Sequence, residues 1–438
     1  MSQAGINARL HQNTLRIIEN SILTEALLFP RIHERYLKYR ELLGCAPAEH
    51  RQLSLERLQE QLKHATAQVP AYRDLDPQAP IEQWPFITKA DIRDRLADFC
   101  DDAIDPGQCR SGRTSGTTGI PIMVVHDFEQ IVHKYALALR RNEAIGLPMR
   151  RRILQPMRDG ALPWTEYPSP AQGNSIVVQF GSADHAGGAE EVIRRARDFQ
   201  PDVVSGHPSN CLRFVEAIAG AGVDIVPRQV VTYGEALGPG VRDRLENGLG
   251  ALVHDGYGMR EFGTIAVQCE KRRYHVESER LLVEIVDEHG RVLPPGELGE
   301  IVVTDLVNGA MPLIRYRTGD SARLAATWCE CGYPGEVLAD VGGRDLGVIS
   351  LPGGEIPINA LTRVVRRFPL RRFQIVRREA AVLEVLISVS DATAGVQNLA
   401  ADLTEFVDQV ATVSVRVVGD DGFLVSESGK DTDYVSLV

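Results

Sequence analysis

The feature that most restricts the fold lies between about residue 120 and residue 250, where apolar strand-like runs alternate with amphipathic helical stretches. NSIVVQF (174–180) and PDVVSG (201–206) read as strands, and EEVIRRARDF (190–199) between them reads as a helix. That alternation predicts an α/β domain with a mainly parallel, helix-covered sheet. The texture differs on either side. Residues 8–66 carry apolar residues at helical spacing, clearest in LERLQEQLKHATAQV, with Pro70 as a stop. From 275 to 325, HVESERLLVEIVDEHGRVLPPGELGEIVVTDL predicts antiparallel strands with turns at Glu288–Gly290 and Pro294–Gly296. After Arg344, RFQIVRREAAVLEVLISVS and VQNLAADLTEFVDQVATVSVRVV predict strands around one helix. The expected organisation is a large N-terminal domain over 1–344, with a strand-rich subdomain at about 264–340, and a small α+β C-terminal domain over 345–438. A chain of 438 residues suits two to four folding units at roughly 100–200 residues each.

Composition narrows the function. Hydrophobic residues at 44% and charged residues at 24% exclude collagen-like, disordered and disulfide-scaffold chains. A formal net charge of −11 argues against a nucleic-acid-coating protein. No run approaches the ~20 apolar residues of a membrane span. The N-terminus lacks the basic-then-apolar layout of a secretory signal. The expectation is a cytoplasmic protein with no nucleic-acid or membrane partner, and with homodimer formation left open. Seven cysteines, an odd number, then read as thiols or metal ligands rather than disulfides.

Three loops carry residue types suited to nucleotide chemistry. In Arg113–Pro121, RTSGTTGIP, glycines let backbone N–H groups turn toward an anion and hydroxyls add donors. No Lys follows Gly119, so this is not the P-loop pattern, and a surface turn has the same composition. In Asp255–Gly263, DGYGMREFG, Glu261 stands where a dinucleotide fingerprint needs Gly. What remains is Tyr257, a ring able to stack on a base, and Glu261, a carboxylate able to bind magnesium. A tight turn around a buried tyrosine is the plainer alternative. In Arg315–Asp320, RYRTGD, the Asp320 carboxylate can accept from a sugar diol, or simply close an Asx turn.

Taken in order, these three loops resemble the adenylate-forming superfamily, and within it the phenylacetate–CoA ligase group. LERLQEQLKHATAQVPAYRDL with WPFITKADIRDRL is similar to that group's N-terminal region, FQPDVVSGHPSN to its Pro-Ser turn, and VTYGEAL to its Gly-Glu loop. The likeness runs from about residue 50 to the end. It implies a small mobile C-terminal lid and a two-step reaction. A carboxylate attacks the α-phosphate of MgATP and releases pyrophosphate, and a thiol, usually CoA, then captures the acyl-adenylate. The resemblance assigns Thr114, Ser115, Gly116, Thr117, Thr118 and Gly119 to the β- and γ-phosphates. It places Gly234, Glu235 and Ala236 in the adenine pocket, with Asp255, Tyr257 and Gly258 beside the nucleotide. Tyr257 lies against adenine, Glu261 holds magnesium, Asp320 grips the ribose, and Arg344 stands near it. Asp345 is the hinge. Lys430, in Ser426–Lys430, bridges the acyl carboxylate and α-phosphate, although a solvated polar tail reads the same. Thr118, Glu261 and Lys430 are the implied catalytic residues. One departure stands out: LGVISLPGGE after Asp345 has no basic residue before Gly353, where the family usually carries one.

Cys269, His275, Cys329 and Cys331 form a further constellation. Three thiolates and an imidazole suit tetrahedral Zn²⁺, though the spacing is unlike common zinc fingers, and two unrelated pairs of thiols have the same sequence. Some relatives in the resembling group hold a structural zinc on a similar set, which implies a structural Zn²⁺ here. By position the acyl pocket is expected near Phe180, His207 and Tyr233, with His207 either touching the substrate carboxylate or capping the following helix. The expected activity is ATP-dependent ligation of an aryl or arylacetic acid to CoA. An amine or a carrier-protein thiol is the alternative acceptor. A non-catalytic nucleotide- and zinc-binding module is the alternative of another class.

Overall fold

The computed structural model describes residues 3–104, 109–113, 122–157, 164–181, 189–344, 348–351, 354–368, 370, 372–389, 398–407, 410–419, 422–424 and 434–437. Two helices open the chain, α1 (Gln3–Glu41) and α2 (Pro47–Gln68). The helical reading of 8–66 therefore resolves into two helices separated by a short break. Gly44 adopts φ +82°, and Ala46 is held extended (φ −62°, ψ 142°) by the proline after it. Pro47 then occupies the first turn of α2, where its missing N–H costs nothing. Val69 is extended ahead of Pro70, the anticipated stop.

The short α3 (Lys89–Asp94), the hairpin β1 (Arg110–Arg113) and β2 (Met123–His126), and α4 (Phe128–Ala144) lead into a twelve-stranded sheet. Its first part comprises β3 (Arg152–Pro156), β4 (Thr165–Ser169), β5 (Ser175–Phe180), β6 (Val203–Gly206), β7 (Gln229–Tyr233) and β8 (Val253–Met259). The helices α5 (Ala189–Phe199), α6 (Pro208–Gly220) and α7 (Pro239–Leu249) alternate with them. Pairing is parallel along β5–β3–β6–β7–β8, and β4 closes the edge antiparallel to β5. Side chains alternate between two cores. Leu154, Val178, Val204 and Val230 pack with α5–α7, whereas Ile153, Val177 and Val203 pack with Leu147.

The second part comprises β9 (Gly263–Gln268), β10 (Tyr274–Val276), β11 (Leu281–Val286), β12 (Gly299–Asp305), β13 (Tyr316–Leu324) and β14 (Val337–Arg344). These strands are antiparallel, as the Val/Ile pattern implied, and they continue the same sheet rather than forming another. The join is β8, parallel to β7 and antiparallel to β9. Ligands of open α/β sheets collect in the crevice outside the strand C-termini.

The remaining described residues form β15 (Val348–Leu351), β16 (Gly354–Pro357), α8 (Ile358–Val365), β17 (Arg372–Glu379), β18 (Val382–Ser388), α9 (Leu399–Val407), β19 (Thr412–Val417) and β20 (Tyr434–Ser436). A four-stranded sheet, β19–β18–β17–β20, packs on a core of Ile349, Leu361, Val365, Ile375, Leu383, Leu399 and Leu403. This α+β unit contains α8 as well as the single helix expected. Among the described residues no helix is long and apolar enough to cross a membrane.

Candidate active site and candidate metal centre

A cavity of about 500 Å³ opens at the C-terminal ends of β7 and β8. Its wall joins Gly234, Glu235 and Ala236 to Asp255, Tyr257, Gly258 and Asp320, all anticipated from the motifs. It adds Tyr274, Asp340, Thr362, Arg366 and Arg367, which no motif marked. Thr362 lies on α8 and the arginines just past it, so the C-terminal unit contributes part of the wall. A short helix without a signature residue gave no signal in the sequence for this.

The wall is fixed by hydrogen bonds. Tyr257 Oη donates to Asp320 Oδ2 at 2.8 Å. Asp255 accepts from Thr232 Oγ1 and Tyr274 Oη, each at 2.5 Å. Burial pushes the Asp255 carboxyl above the usual carboxylate range, while the bonds from Thr232 and Tyr274 oppose that rise. Asp255 thus braces the wall from behind, with both oxygens engaged by protein hydroxyls. Gly234 sits at φ +79°, and a Cβ there would stand 3.0 Å from His207 Nε2. Only glycine meets both conditions without strain.

His207 is the residue ahead of α6, but its side chain makes no capping bond. Glu235 caps that helix instead, accepting from the Ser209 amide at 3.1 Å and the Ser209 hydroxyl at 3.0 Å. The His207 Nδ1 lies 3.2 Å from Glu235 Oε1. Burial opposes the Glu235 charge, yet these bonds from His207 and Ser209 hold its carboxyl below the usual range. Tyr233 meets the His207 ring edge-on at 5.6 Å. Phe180 stacks on Trp164 and meets Phe214 edge-on, both at 5.7 Å, deep in the core. His207 and Tyr233 therefore stand together beside Gly234, whereas Phe180 lies in the packed layer behind.

Glu261 occupies the β8–β9 turn, 4% exposed, and its Oε1 accepts from Tyr316 Oη at 3.2 Å. Arg344 pairs through its backbone with Asp320 across β13–β14. Thr114, Ser115, Gly116, Thr117, Thr118, Gly119, Asp345 and Lys430 lie outside the described residues.

Beyond the far end of β9, the ligand atoms of Cys269, His275, Cys329 and Cys331 all lie within 4.8 Å of one another. The Sγ atoms of Cys269 and Cys329 are 3.8 Å apart, and Cys331 Sγ is 3.3 Å from His275 Nε2. Thiolates ~2.3 Å from a tetrahedral zinc stand roughly 3.8 Å from each other, so the donor set fits that ion. Cys331 also accepts the Tyr333 amide at 3.4 Å, and Tyr333 Oη accepts from Arg140 of α4 at 3.1 Å. Arg140 is fully buried and pairs with Glu279, which ties the cluster to the helical layer.

A ring, a carboxylate and a glycine-opened wall around one cavity at the strand C-termini suit a nucleotide. The family model described as AMP-binding enzyme matches residues 113–307. The phenylacetate–coenzyme A ligase of Aromatoleum evansii is 30% identical over 300 residues, covering 63% of this chain and 67% of that protein. That of Pseudomonas putida is 30% identical over 63% of this chain and 66% of that protein. That of Thermus thermophilus is 26% identical, over 81% and 84%. Among solved structures, 2-hydroxyisobutyryl-CoA ligase in the postadenylation state shares the fold, with a TM-score of 0.72 over 90% of both chains at 19% identity. The chain belongs to the phenylacetate–CoA ligase group of the adenylate-forming enzymes, and is an AMP-forming acid–thiol ligase. It adenylates a carboxylic acid with ATP and transfers the acyl group to CoA.

Proposed function

We propose that the acid is an aryl or arylacetic acid. The observation that carries the nucleotide half of the reading is the gathering of Gly234–Ala236, Tyr257 and Asp320 around one cavity. The acid class is supported by the relatives named phenylacetate–coenzyme A ligase. In this reading Tyr257 lies against adenine, and its hydroxyl aims the Asp320 carboxylate at the ribose diol. Thr114–Gly119 cradle the β- and γ-phosphates, with Thr118 nearest the reacting centre. Arg344 stands near the ribose. Lys430 brings positive charge to the acyl carboxylate and α-phosphate as they meet, and Asp345 is the hinge between 1–344 and 345–438. His207 and Tyr233 border the acid, with Phe180 behind them.

Glu261 suits magnesium, which binds proteins through one or two carboxylates plus substrate phosphates. Its burial and its bond from Tyr316 fix its direction. The ion supplies neutralisation of phosphate charge. Two anions must meet in the first step, so positioning and charge neutralisation account for most of the catalysis. Cys269, His275, Cys329 and Cys331 hold zinc in a structural role, since four protein ligands leave no open position. The reading places the enzyme in the cytoplasm, where ATP and CoA are available and its cysteines stay reduced.

The test is formation of AMP and pyrophosphate with a broad acid panel, with and without CoA. Acid-dependent AMP, best with arylacetic or aryl acids and yielding thioester with CoA, is expected. Preference for short aliphatic acids would overturn the acid class. AMP formation with product appearing only on addition of an amine or carrier-protein thiol would move the acceptor.

A further inference from the structure

Gly263 opens β9 with φ +71°, two residues past Glu261, and Lys134 of α4 packs onto it. A Cβ on Gly263 would stand 3.0 Å from Lys134 Cε and 3.2 Å from its Nζ. The groups facing this ammonium are mostly cations: Arg280 ahead of β11, Arg110 from β1 and Arg260 from the β8–β9 turn. Arg260 runs along β1, where a Cβ on Gly112 would stand 3.7 Å from its Cδ and 3.8 Å from its Nη1. His126 of β2 joins them, its Nε2 3.4 Å from the Arg260 carbonyl oxygen. One carboxylate, Glu277, also faces Lys134. It is already engaged, accepting from Arg280 Nε at 2.7 Å and from Arg141 Nη1 at 3.1 Å.

Burial, followed by repulsion from Arg280 and Arg110, pushes the Lys134 ammonium down to about 8. Burial and the charge of Lys134 push His126 to about 4, so it is neutral near pH 7. A partly buried cation set against further cations is unfavourable by itself, and an arriving polyanion lowers that cost. The surroundings indicate which polyanion. Arg110 and His126 lie on the two strands that flank the Ser/Thr/Gly stretch, and Arg260 directly precedes Glu261.

We propose that Lys134 and Arg260, with Arg110, bind the β,γ-pyrophosphoryl group of ATP and hold pyrophosphate before its release. The proposal rests on the ligase reading above. In the first step an oxygen of the acid forms a bond to the α-phosphorus. The bond from that phosphorus to the bridging β-oxygen breaks, and its electron pair leaves with pyrophosphate. Negative charge therefore grows on the leaving group, and cations placed there favour the transition state over bound ATP. Lys134 and Arg260 contribute this in addition to the magnesium and the Ser/Thr/Gly stretch.

The test uses Lys134→Met, Arg260→Gln and Arg260→Lys in the full-length protein, with Tm measured first. Removal of the Lys134 charge should leave Tm unchanged or raise it. Titration with inorganic pyrophosphate by calorimetry should show at least tenfold weaker binding for Lys134→Met and Arg260→Gln, with partial recovery in Arg260→Lys. The KM for ATP should rise while the KM for the acid moves less than twofold. Thioester formation from chemically made acyl-adenylate and CoA should persist, because no pyrophosphate takes part in it. Above about pH 8 the wild type should take up a proton as pyrophosphate binds, and Lys134→Met should not. The difference in proton uptake between wild type and Lys134→Met, measured with the same pyrophosphate, reports Lys134. Pyrophosphate affinity within twofold of wild type in both charge-removing variants would overturn the proposal, whether or not Tm falls. A change confined to the KM of the acid would also overturn it, placing a second anionic group of the substrate there instead. Direct binding separates this from the ligase reading. A wild type that binds pyrophosphate through Lys134 but forms no AMP with any acid would sink that reading and keep the site. Acid-dependent AMP formation beside unchanged pyrophosphate binding in the variants would do the reverse.

Discussion

Gly234→Ala strikes the nucleotide cavity at the point where backbone and side-chain constraints meet. At φ +79° an L side chain costs about 1–2 kcal/mol. The new Cβ would also stand 3.0 Å from Nε2 and 3.4 Å from Cδ2 of His207. That ring is the far end of a flexible side chain, 44% exposed, so it should swing aside rather than distort the strand. In doing so it leaves Glu235, and a hydrogen bond this exposed is worth about 0.5–1 kcal/mol. The sum, roughly 1.5–3 kcal/mol, should lower the melting temperature by roughly 3–12 °C, at ~2–4 °C per kcal/mol for a unit of this size. If about 1 kcal/mol of the strain is relieved by moving the Gly234–Ala236 backbone, nucleotide contact weakens and the KM for ATP rises about fivefold. Thermal melts and steady-state kinetics at saturating acid and CoA measure both. A melting temperature indistinguishable from that of wild type, together with an unchanged KM for ATP, would refute both the strain argument and the place of this loop in the adenine wall.

Asp320→Ala should raise the KM for ATP about 10–100-fold, because hydrogen bonds to a charged group contribute about 1.5–3 kcal/mol; an unchanged KM would remove Asp320 from the ribose site. Cys331→Ser should lower both the zinc content found by elemental analysis and the melting temperature, since structural metal binding contributes folding free energy; a zinc-free wild type of unchanged stability would refute the metal centre. Glu279→Gln should cost about 3–5 kcal/mol, because it leaves the buried Arg140 guanidinium uncompensated. The same pair sets a pH dependence. Burial opposes the Glu279 charge, but Arg140 and His50 hold the carboxyl far below its unfolded value. A depressed folded pKa gives stability that is fully present above the unfolded value of about 4.3 and is lost as pH falls below it. Urea melts should therefore lose this contribution on acidification in the wild type but not in Glu279→Gln; parallel pH profiles would contradict the assignment.

Much of this was legible in the sequence because the informative residues obey short-range rules. Alternating apolar runs marked the parallel strands, and Val/Ile-rich runs broken by Gly and Pro marked the antiparallel ones. The break at Gly44–Pro47 was not read from the sequence, because the apolar periodicity runs across it and masks the extended conformation that Pro47 imposes on Ala46. The seamless junction at β8 was not legible, because strand order depends on contacts between segments far apart in the chain. For the same reason Tyr274, Asp340, Thr362 and Arg366 carried no mark of their place on the cavity wall. His207 and Glu235 show the limit most clearly. Position next to α6 left His207 as either a cap or a substrate contact, yet Glu235, 26 residues beyond Ser209, takes the capping role from the loop after β7. Helix-capping rules read only local sequence, and a carboxylate arriving from a distant loop satisfies the same amide.

The position of the cavity also bears on how the two parts of the chain act together. Asp320 and Tyr257 come from the large sheet, while Thr362, Arg366 and Arg367 come from the C-terminal unit. A Cβ on Gly238 would stand 3.1 Å from the Arg366 carbonyl oxygen, so the contact between the two parts is backbone-close at that point. A nucleotide filling this space touches both parts at once. Its affinity must then differ between arrangements that bring α8 to the cavity and arrangements that do not. By linkage, the bound nucleotide biases the arrangement to the same extent that the arrangement biases the nucleotide. Replacing the nucleotide by a product with fewer contacts to α8 would shift that balance without any separate switch. A cavity wall shared in this way is itself sufficient to couple the occupant to the position of the C-terminal unit.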